Sequence, residues 1–139
     1  MNVSKKINIC LIRNDKIGDM ILTLPIIKAI KDNNPNTKIT VVCSNINSFL
    51  CEEAPFVDAY SVFDKKDKLL FKIKFLKMFR KSSFDFIFNF SQDIETFLLL
   101  LIGKSINKSS LVYLTRYGNQ NFSKIFQKLI IKLFRFDNI

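Results

Sequence analysis

The 139 residues include no histidine and no tryptophan, only three glycines and three cysteines, and no apolar run longer than the six residues Phe97 to Ile102. Each shortage closes a route. Without histidine there is no serine–histidine or cysteine–histidine nucleophile system, no His-ligated zinc and no His-held haem, so a general base has to be a carboxylate. Gly18, Gly103 and Gly118 are too few and too scattered for a phosphate-cradling P-loop or a G-x-G-x-x-G dinucleotide fingerprint. Cys10, Cys43 and Cys51 are odd in number and irregular in spacing, and two of them sit in apolar runs, as buried thiols of a reducing cytoplasm do. A membrane span needs about twenty apolar residues. Behind Lys5 and Lys6 the apolar stretch Ile7 to Ile12 is too short for a signal-peptide core. The expectation is a cytoplasmic chain that does not cross a bilayer.

What is present is the make-up of one globular domain over residues 1–139: 48% hydrophobic and 24% charged, with no repeat and no Pro/Gly/Ser-rich linker. The 22 basic against 12 acidic residues leave a formal charge of +10, and its location matters more than its size. Lys65 to Lys81 holds eight basic residues and one acid, Asn121 to Phe136 four and none, and the rest is about neutral. In the second stretch Phe122, Phe126, Leu129, Ile130 and Leu133 share one helical face, and Lys124, Lys128, Lys132 and Arg135 the opposite one. In the first, Phe71, Phe75, Met78 and Phe79 line one face, flanked by Lys72, Lys74, Lys77, Arg80 and Lys81, with Ile73 and Leu76 left over on the basic side. Such helices read either as core-facing helices with a solvated lysine face or as surfaces for anionic membrane, with Lys72, Lys77, Arg80, Lys81, Lys124, Lys128, Lys132 and Arg135 as the contacts. No nucleic-acid reader motif accompanies them, so nucleic acid is not the expected partner.

Strand-like and helix-like segments alternate. Ile7 to Arg13, Lys38 to Cys43, Ala59 to Phe63, Ser83 to Phe90 (phenylalanine at every second position from Phe84) and Ser110 to Thr115 read as strands. Asp19 to Lys31, Ser44 to Ala54, the basic stretch ending at Lys81, Asp93 to Ile102 and Asn121 to Arg135 read as helices. Pro25 is expected to kink or split the first helix. This alternation predicts an α/β fold: a Rossmann-like parallel sheet with helices on both faces, joined by right-handed crossovers. In such sheets ligands bind beyond the carboxyl ends of the strands, and the first strand-to-helix loop is here Arg13-Asn14-Asp15-Lys16-Ile17-Gly18-Asp19. Gly18 permits a tight turn, and Asp19 at the helix start is a carboxylate favoured by the helix dipole and suited to act as a base. In isolation a Gly-Asp pair is as well explained as an ordinary helix start, with Arg13 and Lys16 balancing Asp15.

The string from Ile12 through Ile30, with its R-x-D-x-I-G-D-x-x-x-T-L-P core, resembles the opening of the ADP-heptose:lipopolysaccharide heptosyltransferase family. The likeness continues through Asn34 to Val42, Ala54 to Asp58 and Phe84 to Phe88. It implies the amino-terminal, acceptor-side half of a GT-B glycosyltransferase, with the carboxyl-terminal donor-binding domain absent from this chain. The expected forms are a half-enzyme, a truncated product or one subunit of a split enzyme. The resemblance further implies that Asp19 takes the proton of an acceptor sugar hydroxyl as it attacks a nucleotide sugar, with inversion and with neither metal nor cofactor. Arg13, Lys16, Gly18 and Asn89 would contact the acceptor. Where the family carries an aspartate and Gln-Gly after the fourth strand, this chain has Asn89, Ser91 and Gln92. The implied partners are a nucleotide-sugar donor and a lipid-linked, lipopolysaccharide-type saccharide, met at the inner membrane face. Two other readings stand beside it. One is a non-catalytic basic module for a membrane surface or a partner protein. The other is a phospho-receiver-like domain, which Asp15 and Asp64 fit loosely but which lacks its lysine, since Thr115 and Arg116 stand at that place.

Overall fold

The computed structural model describes residues 6–105 and 107–110, which form a five-stranded parallel sheet with helices on both faces. The order along the chain is β1 (Asn8–Ile12), α1 (Ile17–Asn33), β2 (Lys38–Cys43), α2 (Ser48–Glu53), β3 (Ala59–Val62), α3 (Leu69–Lys81), β4 (Phe86–Asn89), α4 (Ile94–Ile102) and β5 (Asn107–Ser110). Across the sheet the order is β3-β2-β1-β4-β5, every pair parallel. A receiver-type sheet runs 2-1-3-4-5 instead, so the observed order overturns the phospho-receiver reading.

Alternation along β1 explains the layering. Ile9 and Leu11 point to one side, where Ile39, Val41 and Cys43 of β2 join Met20 and Ile27 of α1 and Cys51 of α2. Cys10 and Ile12 point to the other, where Val42, Phe63 and Ile87 meet Phe75 and Phe79 of α3 and Leu99 and Leu100 of α4. Right-handed crossovers require this arrangement: β1 to β2 to β3 steps one way across the sheet, β4 to β5 the other, so the two helix pairs fall on opposite faces. Both cores share β1, which is why its interior residues read as a continuous apolar run.

Several expectations need correction. Pro25 neither splits nor ends α1, which runs unbroken to Asn33. Proline lacks the amide that would bond the Ile21 carbonyl, and both residues lie on the exposed side of the helix, where a missing bond costs least. α2 is shorter than Ser44 to Ala54, because the Asn47 side chain accepts the Ser44 amide at 2.9 Å and folds Ser44–Asn47 into a turn. β4 starts only at Phe86: Phe86 and Phe88 stack at 6.0 Å on the α1 side, whereas Phe84, before the strand, packs at 5.6 Å on Phe79 across the sheet. β5 begins at Asn107, ahead of the apolar Leu111 to Leu114, because its register follows β4 (Phe86 opposite Asn107) and an edge strand tolerates polar residues. On α3 only Phe75 and Phe79 of the predicted face are buried; Phe71 and Met78 are exposed. The helix over Asn121 to Arg135, with Lys124, Lys128, Lys132 and Arg135, lies outside the described residues, as do Leu111 to Arg116. None of the described helices is long and apolar enough to cross a membrane.

Candidate functional site

The four described helices all start at the carboxyl edge of the sheet, and there the loops after β1, β2, β3 and β4 enclose an open cleft of about 890 Å³. Its walls include Asn14, Asp15, Lys16 and Asp19 from the first loop, Ser44 to Ile46 from the second, Asp64 to Lys66 from the third, and Gln92 and Asp93 from the fourth. A second, larger cavity, at the opposite end of the sheet, is lined by Arg80, Asp85 and Lys104 among others.

The first loop is held by a layer of buried polar groups. The Asn14 amide donates to Ser91 Oγ at 2.9 Å, and its side-chain nitrogen donates to the Phe63 carbonyl at 3.1 Å. Asn47, fully buried, donates to the carbonyls of Arg13 at 3.2 Å and Asp15 at 3.5 Å. Asn89 accepts the Ser91 amide at 3.0 Å. Three neighbouring loops are thereby tied to the Arg13–Asp15 segment, two through its backbone and one through the Asn14 side chain, so a stretch without regular structure acquires a fixed shape. Two buried groups on the cleft wall, Asn14 Oδ1 and Ser44 Oγ, have no partner among the described residues.

Arg13 is the electrostatic centre of the loop. Its side chain is 12% exposed, with Nε 3.2 Å from Asp15 Oδ1 and Nη2 3.2 Å from Asp19 Oδ1; Nη1 donates to the Phe90 carbonyl. The planar guanidinium suits this role because its spread charge lies against both carboxylates while one nitrogen bonds the Phe90 carbonyl. Asp15, 18% exposed, is pushed above the ordinary carboxylate range by burial, opposed by Arg13 and reinforced by the nearby charges of Asp19 and Asp93. Asp64 is held below that range: the Lys66 amide bonds it, outweighing its burial together with the Asn45 amide and side chain. Asp19, 39% exposed, stands in the first turn of α1 on the cleft wall.

The predicted site residues separate into two groups. Lys16 and Asp19 line the cleft. Gly18 adjoins them, but as the second residue of a helix it makes no tight turn; a Cβ there would meet nothing within 4 Å. Arg13 lies beneath them, engaged with carboxylates. Asn89 is buried, and its carboxamide oxygen is used by Ser91. On α3, Lys72 turns inward, with Nζ 2.9 Å from both Glu95 oxygens and 2.8 Å from the Lys65 carbonyl. Lys77, Arg80 and Lys81 are exposed. Sequence reasoning missed Asn14, Ser44, Asn47, Asp64, Lys65, Lys66, Ser91 and Asp93. Three of them shared a signal: Ser44, Asp64 and Ser91 are each the first polar residue after a strand, while Asn14 stands one place further on, behind Arg13. Among the described residues no three His, Cys, Asp or Glu side chains gather as metal ligands.

No protein-family profile matches the chain. A Haemophilus influenzae protein named "Putative glycosyltransferase" is 31% identical over 106 residues, 76% of this chain and 29% of that protein. Lipopolysaccharide heptosyltransferase 3 of Escherichia coli is 35% identical over 77 residues, 52% of this chain and 23% of that protein. The chain thus spans less than a third of the length of the curated relatives it matches. Among solved structures, a glycosyl transferase family 9 protein of Veillonella parvula superposes with a TM-score of 0.68 at 18% identity, covering 93% of this chain and 42% of that one. E. coli heptosyltransferase WaaC with ADP gives 0.67 at 12% identity, covering 86% and 40%. Likenesses so distant in sequence speak for the fold alone. With the loop motif and the curated relatives, they identify the chain as related in sequence and fold to the heptosyltransferase family of glycosyltransferases.

Proposed function

We propose that this cleft is the acceptor side of a sugar transferase and that Asp19 is its general base. The supporting observation is a half-exposed carboxylate on the wall of a cleft at the carboxyl edge of the sheet, anchored from beneath by Arg13. In the proposed step an acceptor sugar hydroxyl attacks the anomeric carbon of a nucleotide sugar. The bond to the nucleotide phosphate breaks, the centre inverts, and the hydroxyl proton passes to Asp19. A base within hydrogen-bond reach of that hydroxyl contributes about 10²- to 10⁴-fold.

The other groups divide the remaining work. Lys16, Lys65 and Lys66 offer cations to acidic substituents of a lipopolysaccharide-type acceptor. Beneath them the buried, unpartnered Asn14 Oδ1 and Ser44 Oγ make the base of the cleft polar. Donor binding falls to a second domain, in keeping with relatives of which the matched segment makes up only 29% and 23%. The enzyme would work at the inner membrane face, where a lipid-linked acceptor is presented.

Titration of the labelled chain with a phosphorylated inner-core saccharide tests the acceptor side without requiring turnover. Amide shifts are expected to concentrate at Lys16, Gly18, Asp19 and Lys66, and shifts elsewhere only would dismiss this cleft. Asp19→Asn is expected to keep that binding while lowering transfer from a nucleotide sugar at least 100-fold; undiminished transfer would remove Asp19 from the role.

A further inference from the structure

The most exposed apolar residues of the second helix layer gather beside the cleft. Leu69 and Leu70, the first two residues of α3, are 72% and 75% exposed, and Ile94, the first of α4, is 68% exposed. Asp64 to Lys66 and Asp93, which line the cleft, lie just before them in the chain. α3 and α4 pack together and are clamped by the Lys72–Glu95 pair at 2.9 Å, so these side chains belong to one surface. Further along α3, Leu70, Lys74, Lys77 and Lys81 follow the i, i+4, i+7, i+11 stripe on the side away from buried Phe75 and Phe79. The three lysines make no ion pair among the described residues; the acidic residues of α4's start are engaged by Lys65 and Lys72 instead.

An apolar end continuous with an unneutralised basic stripe is the pattern of an interfacial helix, which inserts apolar side chains shallowly and rests its cations on anionic headgroups. A protein partner would more often meet an apolar patch depleted of lysine. We infer that the outer side of α3 and the first turn of α4 dock on an anionic phospholipid bilayer, with Leu69, Leu70 and Ile94 entering the headgroup layer next to the cleft mouth. That the cleft thereby meets a lipid-borne acceptor rests on the reading above; the docking surface itself does not.

Co-sedimentation of the full chain with phosphatidylcholine vesicles, with and without about a quarter phosphatidylglycerol, tests the surface. Binding is expected to the anionic vesicles, to weaken with salt, and to fall about five-fold or more for each of Lys74→Glu and Lys77→Glu. Leu69→Ser with Leu70→Ser should lower it similarly, whereas Leu22→Ser, on exposed apolar surface of α1, should not. These positions are exposed, and unchanged circular dichroism confirms folding of each variant. Equal partitioning to both vesicle types, or anionic binding that the α3 variants leave intact, overturns the inference. So does an absence of vesicle binding accompanied by self-association that Leu70→Ser abolishes. Asp19→Asn should bind vesicles like the parent, so failure of the catalytic reading would leave this result standing.

Discussion

Arg13 Nη2 lies 3.2 Å from Asp19 Oδ1, and the same guanidinium places Nε 3.2 Å from Asp15 Oδ1, so a carboxylate of the loop and one of α1's first turn share a single cation. The loop and the helix start that follows it are thereby fixed by one side chain, itself largely shielded from solvent. Arg13 is therefore a positioning residue for Asp19 rather than a contact for substrate.

Replacing it separates charge from shape. Arg13→Lys keeps the cation but offers one ammonium group where the guanidinium lay against two carboxylates and bonded the Phe90 carbonyl. Stability is expected to fall modestly and transfer strongly. Arg13→Ala leaves Asp15 without its partner in a site mostly shielded from water, and urea unfolding should show a loss of about 3 kcal/mol. An Arg13→Lys protein equal to the parent in transfer would show that the guanidinium is dispensable.

Asp15 gives the loop a pH dependence of known sign. Its folded pKa is raised, chiefly by burial, so the folded state holds the proton more tightly than the unfolded chain does. The stability this contributes is complete below the unfolded value, near 3.8, and is lost as pH rises through the folded value. Relative to the parent, Asp15→Asn should therefore be more stable at pH 7 than at pH 3. Denaturation at the two pH values measures the difference, and an unchanged gap would contradict it.

Gly18 carries a prediction in two parts. A Cβ meets nothing there, and the residue is helical, so Gly18→Ala should raise stability by up to about 1 kcal/mol. If the open space is room for an acceptor, the same change should weaken saccharide binding. A variant that is stabilised yet binds as before would mean the space is unused.

Gly103 behaves in the opposite way. A Cβ would come 2.5 Å from Ile87 Cδ1, 2.9 Å from Phe79 Cε1 and 3.2 Å from the Leu99 carbonyl, all within the α3–α4 core. Gly103→Ala should cost about 1–3 kcal/mol through overpacking, read as a lowered thermal midpoint. Relief by Ile87→Val in the double variant would locate the clash.

The fold was legible where periodicity and chain topology speak together. Lys38 to Cys43 is a strand from first residue to last as its β-branched run implies, and the alternation of strands and helices leads to a parallel sheet. Edges were less legible. Asn107–Ser110 is polar and is a strand only because β4 presents its backbone, a long-range pairing that local composition does not encode. At the site, Asp19 stood out through its motif and lies on the cleft wall. Asn89 looked equally available, yet whether a carboxamide faces a ligand or its own loop depends on the neighbouring Ser91 amide. Asn47 was invisible for the same reason: its partners, Arg13 and Asp15, lie more than thirty positions away.

The central strand is made early and completed late. β1 finds its first neighbour at Lys38–Cys43, but its other edge waits for Phe86–Asn89, and Ile9 pairs with Phe86 only after nearly eighty residues have been added. Until then one flank of the sheet's middle is a bare row of amides and carbonyls above half a core. This molecule should consequently fold as a single late event governed by β4, and its slowest-exchanging amide protons should be those of β1.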